Sequence, residues 1–160
     1  MRVMSIMVRT AHRDELDRVN ALRKMVNDLH VKGRPDVFRA GFCDELKQHV
    51  YDKYDAQNSD VLVAIMDDAI CGYAVVEYIE RPQSPFNRAR RFYHVEEFGV
   101  DESARRKGVA TALVEFMKND AQARGYQRIE LDMWEFNDTA LSFYEHAGFK
   151  TYRRYMELPL

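Results

Sequence analysis

Cysteine is scarce, with Cys43 and Cys71 the two in 160 residues. Two thiols so far apart build no disulfide framework and cannot supply a cysteine-rich zinc site. The five histidines, His12, His30, His49, His94 and His146, show no metal-ligand spacing, so no metal is expected. Neither sign of charge dominates: 24 Lys and Arg face 26 Asp and Glu, for a net charge of -2. That balance argues against a surface given over to nucleic acid, and none is expected as a partner, although a local basic patch remains open. No run approaches the roughly 18 apolar residues of a membrane span. The stretch Met1 to Asp14 breaks its apolar residues with Arg2, Ser5, Arg9 and His12, which does not read as a secretory leader. A soluble, cytoplasmic protein with no membrane partner is expected. Repeats, low-complexity tracts and linkers are also missing, so one domain over residues 1–160 is expected. At 46% hydrophobic and 31% charged residues, the chain can bury a core without staples.

What is present alternates between two periodicities. Ser5 to Arg9 reads as a short strand. From about Arg13 to His30, the apolar residues Leu16, Val19, Leu22, Val26 and Leu29 line one helical face. Gly33 and Pro35 mark Val31–Gly41 as loop, and a second helix is expected over Phe42–Tyr54. Val61–Met66, the turn Asp67-Asp68 and Ile70–Ile79 read as an antiparallel hairpin. After a loop over Arg81–Arg90, Arg91–Val100 is the fourth strand. Gly108–Arg124 is helical and closed by Gly125, Arg128–Trp134 alternates as a strand, and Asn137 caps a short helix to Ala147. Phe149–Leu158 is expected to be a final strand. Antiparallel strands followed by one strand–helix–strand crossover predict an α/β chain: a mixed, mostly antiparallel sheet with helices on both faces.

The segment that carries chemistry lies after the fourth strand. Arg105, Arg106 and Lys107 are followed by Gly108, Val109, Ala110 and Thr111, where a helix begins. A helix start exposes unpaired N–H groups and partial positive charge, and small residues let a phosphate reach the backbone. Flanking cations add charge-assisted contacts. The residues therefore point to a pyrophosphate site. The spacing is neither that of a dinucleotide fold nor that of a nucleotide hydrolase loop.

Arg105-x-x-Gly108-x-Ala110 resembles the acetyl-CoA signature of the GNAT superfamily of N-acetyltransferases. Downstream, Asn137-x-x-Ala140-x-x-Phe143-Tyr144-x-x-x-Gly148-Phe149 is similar to the superfamily's second motif, with an alternating strand between the two. The order of elements matches that fold over nearly the whole chain. The resemblance implies a sheet whose two central strands splay to admit acetyl-CoA as co-substrate. Its pantetheine arm would bond the backbone of Phe98, Gly99 and Val100, where Gly99 permits an irregular or bulged strand. Its diphosphate would sit on the amides of Arg106 to Thr111, beside Arg105, and Asn137 would help bind the arm. The reaction implied is acetyl transfer to a primary amine of a small molecule or peptide, directly in a ternary complex. The contrasting reading is a non-catalytic acyl-CoA-binding regulatory module on the same fold. A homodimer is compatible with either.

An alkylamine is mostly protonated at neutral pH, so the transfer needs a base, and the departing thiolate gains from a proton donor. The family position of the base falls on Glu96. Strand alternation puts His94 and Glu96 on one face and Glu97 on the other. Glu96 therefore ranks first, Glu97 second because a bulge can reverse the face, and His94 third. Tyr144 matches the family's thiolate-protonating tyrosine and would also touch the cofactor; a phenol stays protonated at neutral pH. Neither cysteine has a partnering base in the sequence, which argues against an acetyl-enzyme.

Cues to the acceptor conflict. The loops His30–Phe42 and Arg81–Phe92 carry arginines beside aromatics, while Asp44, Glu45, Asp52 and Asp55 line the second helix. No particular amine follows from them.

Overall fold

A computed structural model describes residues 5–160; residues 1–4, part of the stretch read for a leader, lie outside that description. The elements are β1 (Ile6–Thr10), α1 (Leu16–Gly33), α2 (Asp44–Asp55), β2 (Ser59–Met66), β3 (Ala69–Arg81), β4 (Arg90–Val100), α3 (Val109–Ala123), β5 (Ile129–Glu130) and α4 (Asp138–His146). Five strands form one sheet in chain order. The β1–β2, β2–β3 and β3–β4 pairs are antiparallel, and β4–β5 is parallel. This is the expected mixed, mostly antiparallel α/β architecture.

The sheet buries both faces. On one side Val61, Val63, Tyr73 and Val75 pack against Leu16, Val19 and Leu22 of α1 and Val50 of α2. On the other, Leu62, Ala74, Val76, Tyr93 and Val95 meet Val109, Leu113, Val114 and Met117 of α3. Each such aliphatic side chain contributes about 1.5–3 kcal/mol of transfer free energy. Strands buried on both faces read as continuous apolar runs, as Val61 to Met66 does. Asp67 and Asp68 take φ of 51° and 61°, the left-handed pair that a two-residue hairpin turn requires.

Three boundaries differ from expectation. Helix α1 continues three residues past His30 and stops at Gly33, where the Arg34 N–H closes on the His30 carbonyl ahead of Pro35. Strand β5 is two residues long instead of spanning Arg128–Trp134. The strand expected over Phe149–Leu158 is absent, and residues 150–160 form neither helix nor strand. A ladder needs a facing row of backbone groups, and β5 offers two residues. Side chains hold the tail instead: the Tyr152 hydroxyl bonds Glu130, the Arg128 guanidinium lies 5.4 Å from the Tyr152 ring centroid, and Arg34 pairs with Glu157 at 3.1 Å. No described helix is long and apolar enough to cross a membrane.

Candidate active site

Two features meet at the carboxyl end of β4. The first is a gap. Strand β5 pairs with β4 at Tyr93–Ile129 and His94–Glu130 and no further. From Val95 to Val100, β4 keeps only its β3 neighbour among the described residues, so one edge of its backbone has no partner strand there. This is the splay that the resemblance implied, and it leaves the edge of Phe98, Gly99 and Val100 without a partner strand.

The second feature is the corner after β4. The Asp101 carboxylate accepts the Ser103 N–H at 3.0 Å and is held by Arg18 at 2.7 Å, which sets the turn at Glu102–Ala104. Arg106 then takes φ +60° and Gly108 φ +87°. Left-handed residues in such a loop turn backbone N–H groups into an anion-binding concavity. At Gly108 a side chain would be strained, and the nearest atom to a Cβ there would be Ile6 Cδ1 at 3.8 Å, so the space above it is open. The first helical bond of α3 runs from the Ala112 N–H to the Gly108 carbonyl at 3.0 Å. The amides of Val109, Ala110 and Thr111 precede it. No side chain caps them, and the first turn holds no acidic residue. Arg105, Arg106 and Lys107 are exposed, and none makes an ion pair among the described residues. Orphan amides, a left-handed loop and three unpaired cations fit a diphosphate.

Glycine 99 has a different reason from the one expected. It pairs with Tyr73 in regular register, and a Cβ there would meet Tyr73 Cε1 and Val26 Cγ2 at 2.7 Å. Close packing of α1 and β3 requires it. The irregularity lies upstream, where Val75 faces Glu97 and Val76 faces Val95, which leaves Glu96 as the extra residue of a bulge. The bulge overturns the expected alternation. Glu96 and Glu97 both meet the helices of the α1–α2 face, as His94 meets Glu77 on that same face.

The three candidate bases have unequal surroundings. Glu97 is held at 2.7 and 3.0 Å by the guanidinium of Arg23, which is 4% exposed and also bonds Asn20 and the Leu46 carbonyl. His94 Nδ1 lies 2.9 Å from Glu77 Oε1. Glu96 Oε1 lies 3.0 Å from His49 Nε2 of α2. Its Oε2 is buried, 3.4 Å from Lys53 Nζ, with no hydrogen bond among the described residues. Lys53 also bonds Glu77 at 2.7 Å. Its ammonium is destabilised by burial, which its two carboxylate neighbours more than reverse, so its pKa is raised. The Lys53 and His94 contacts outweigh burial at Glu77 and lower its pKa.

Tyr144 approaches β4 from α4. Its ring lies 6.0 Å from Phe98 and 5.5 Å from Phe149, and burial pushes its phenol up to about 12. Phe143 packs with the core, stacked on Phe98 at 6.1 Å. Asn137 caps α4: its Oδ1 accepts the Ala140 N–H at 3.2 Å. Cys71 is buried, with its pKa raised, and Cys43 is exposed at the start of α2. Two surface hollows, of about 500 and 640 Å³, are lined by other residues. No group of three metal-ligating side chains occurs among the described residues.

Sequence reasoning missed Arg23, His49, Lys53 and Glu77. A signal existed for two of them: His49 and Lys53 are four apart on α2, flanking the buried Val50, so one helical face carries both to the sheet. Part of the conflicting acceptor cues is taken up by pairs within the chain. Asp55 pairs with Arg13, Asp52 with Gln48, Arg90 with Glu130 and Arg91 with Glu80.

Comparison with known proteins bears on the fold and the family. A mutant BH1408 protein from Bacillus halodurans superposes with a TM-score of 0.92 at 29% identity, over 96% of this chain and 99% of that one. A transcriptional regulator from Bacillus halodurans C-125 gives 0.76 at 20% identity, over 98% and 100%. The aminoglycoside N-acetyltransferase AAC(6')-Iy, in complex with CoA, gives 0.75 at 17% identity, over 99% and 97%. No curated protein sequence matches. The sequence profile of the Acetyltransferase (GNAT) family matches residues 24–149. With that profile covering most of the chain, and its fold shared with a CoA-bound acetyltransferase, the protein belongs to the GNAT family of acetyltransferases.

Proposed function

We propose that the protein moves an acetyl group from acetyl-CoA to a primary amine of a small molecule or peptide, by direct transfer in a ternary complex. The observation that carries this reading is the corner at Arg105–Thr111, where, among the described residues, orphan amides, left-handed Arg106 and Gly108 and unpaired cations lie beside an unpaired strand edge. Acetyl-CoA supplies an activated thioester. The corner holds its diphosphate, the free edge at Phe98, Gly99 and Val100 takes its arm, and Asn137 adds a side-chain amide beside it.

Glu96 acts as the base. Its buried Oε2 lies 3.4 Å from the Lys53 ammonium and makes no hydrogen bond among the described residues, which leaves it room for an incoming ammonium or a water. Glu97 is committed to Arg23 and His94 to Glu77, so neither competes. Tyr144 donates to the departing sulfur, and its raised pKa keeps the phenol protonated at neutral pH. Buried Cys71 and exposed Cys43 take no part. Fold relatives that act on aminoglycosides support a small-molecule amine as acceptor. A homodimer belongs to the same reading. Sedimentation tests it.

Thiol release from acetyl-CoA over a panel of polyamines, aminoglycosides, amino acids and peptides tests activity and acceptor class together. Turnover with one class of amine supports the reading. Cofactor binding without turnover on any amine overturns it in favour of an acyl-CoA-binding regulatory module.

A further inference from the structure

The reaction leaves a proton to dispose of. An acceptor ammonium enters with three N–H protons, its nitrogen bonds the acetyl carbon, and the C–S bond breaks. One proton stays on the amide, one ends on the thiol, and one is surplus. If Glu96 takes the surplus proton, it must pass it on before the next turnover.

Few neighbours of Glu96 can accept it. Lys53 is an ammonium with donors only. Glu97 is tied to Arg23, and His94 faces Glu77 instead of Glu96. His49 is 3.0 Å from Oε1 through Nε2, and its side chain is 37% exposed, so its ring reaches from the carboxylate to solvent. An imidazole can accept at one nitrogen while it releases from the other.

We propose that His49 is a positioning and relay residue that carries the surplus proton from Glu96 to solvent. This rests on the assignment of Glu96 as base. The protonated carboxyl gives its proton to Nε2, and the Nδ1 proton leaves to water. The carboxylate is regenerated facing Nε2–H, and exchange with solvent at both nitrogens restores the starting tautomer. Lys53, bridging Glu96 and Glu77, holds the carboxylate in place.

The test uses acetyl-CoA with the panel amine that gives the fastest thiol release. In His49→Ala, kcat should fall by about 100-fold, the low end of what positioned proton transfer contributes, with KM little changed. Added imidazole should restore His49→Ala with saturation and leave Glu96→Gln inactive. His49→Gln keeps a donor to Glu96 but cannot relay, so it should fold normally and lose as much kcat, even should the alanine variant fold poorly. Full activity in His49→Gln, or a slow His49→Ala that imidazole does not rescue, overturns the relay. If Glu96→Gln is slow while both His49 variants are fast, the relay is wrong and the base stands. If Glu96→Gln is also fast, the base reading itself fails.

Discussion

Glu96 and Glu97, adjacent in the chain, both project from β4 toward the α1–α2 face, because the extra residue of the β3–β4 register is Glu96 itself. The bulge divides their tasks. Arg23 fastens Glu97 to α1 through two hydrogen bonds, and the buried Glu96 oxygen faces Lys53 at 3.4 Å with no hydrogen bond among the described residues.

Removing each carboxylate should therefore have opposite consequences. Glu97→Gln leaves the buried Arg23 guanidinium without its ion pair, at a cost of about 3 kcal/mol. The melting temperature should fall by about 6–12 °C with kcat retained. Glu96→Gln should lower kcat by about 10²–10⁴-fold with little change in melting temperature. Steady-state kinetics and calorimetry on the two variants check the pair, and the reverse pattern would make Glu97 the base.

The cofactor corner predicts a ligand-dependent melting shift. Acetyl-CoA at 100 times its Kd adds about 2.7 kcal/mol, or roughly 5–10 °C for a chain of this size. Gly108→Val puts a branched side chain at φ +87° over the open amides and should abolish the shift. Thermal melts with and without cofactor measure it; a preserved shift would remove the corner from cofactor binding.

Tyr144→Phe keeps the ring against Phe98 and Phe149 and removes the proton. Turnover should drop by about 100-fold or more at unchanged melting temperature. The raised pKa also has a sign for stability. The buried neutral phenol favours the fold below pH 10, and that contribution fades as pH climbs toward about 12. Tyr144→Phe should lose this part of the alkaline decline, as urea melts between pH 9 and 12 would show.

Acid stability has an identifiable carboxylate. Arg9 grips Glu15 at 2.7 and 2.9 Å, the His12 N–H adds a bond, and the Glu15 pKa drops from 4.5 to about 2, with the Arg9 bond as the main cause. A depressed carboxylate stabilises the fold above its unfolded pKa and loses that contribution as pH falls through the folded value. Glu15→Gln should therefore flatten the loss of stability between about pH 4.5 and 2.

The tail offers a test of the missing strand. A truncation after Arg153 removes exposed residues and an exposed ion pair between Arg34 and Glu157, of a kind that contributes little to stability. The melting temperature should change by less than about 4 °C. A larger drop would show that the tail contributes more than these exposed contacts.

Local rules decide what they can reach. The 3-3-4-3 spacing of Leu16 to Leu29, the apolar run at Val61 to Met66 and the small residues after Lys107 each specify an element or a backbone shape from near neighbours alone, and each appears where the chain predicts it. Alternation along β4 was legible too, but a bulge depends on how two strands register, so the side to which Glu97 turns was not. The company of Glu96 is likewise a matter of distant chain: His49 and Lys53 lie more than 40 residues away and arrive on a helix whose docking is set by the whole sheet. The two-residue β5 and the unpaired tail follow from the same cause. A strand exists only if another strand offers it a row of partners, and no single segment carries that information.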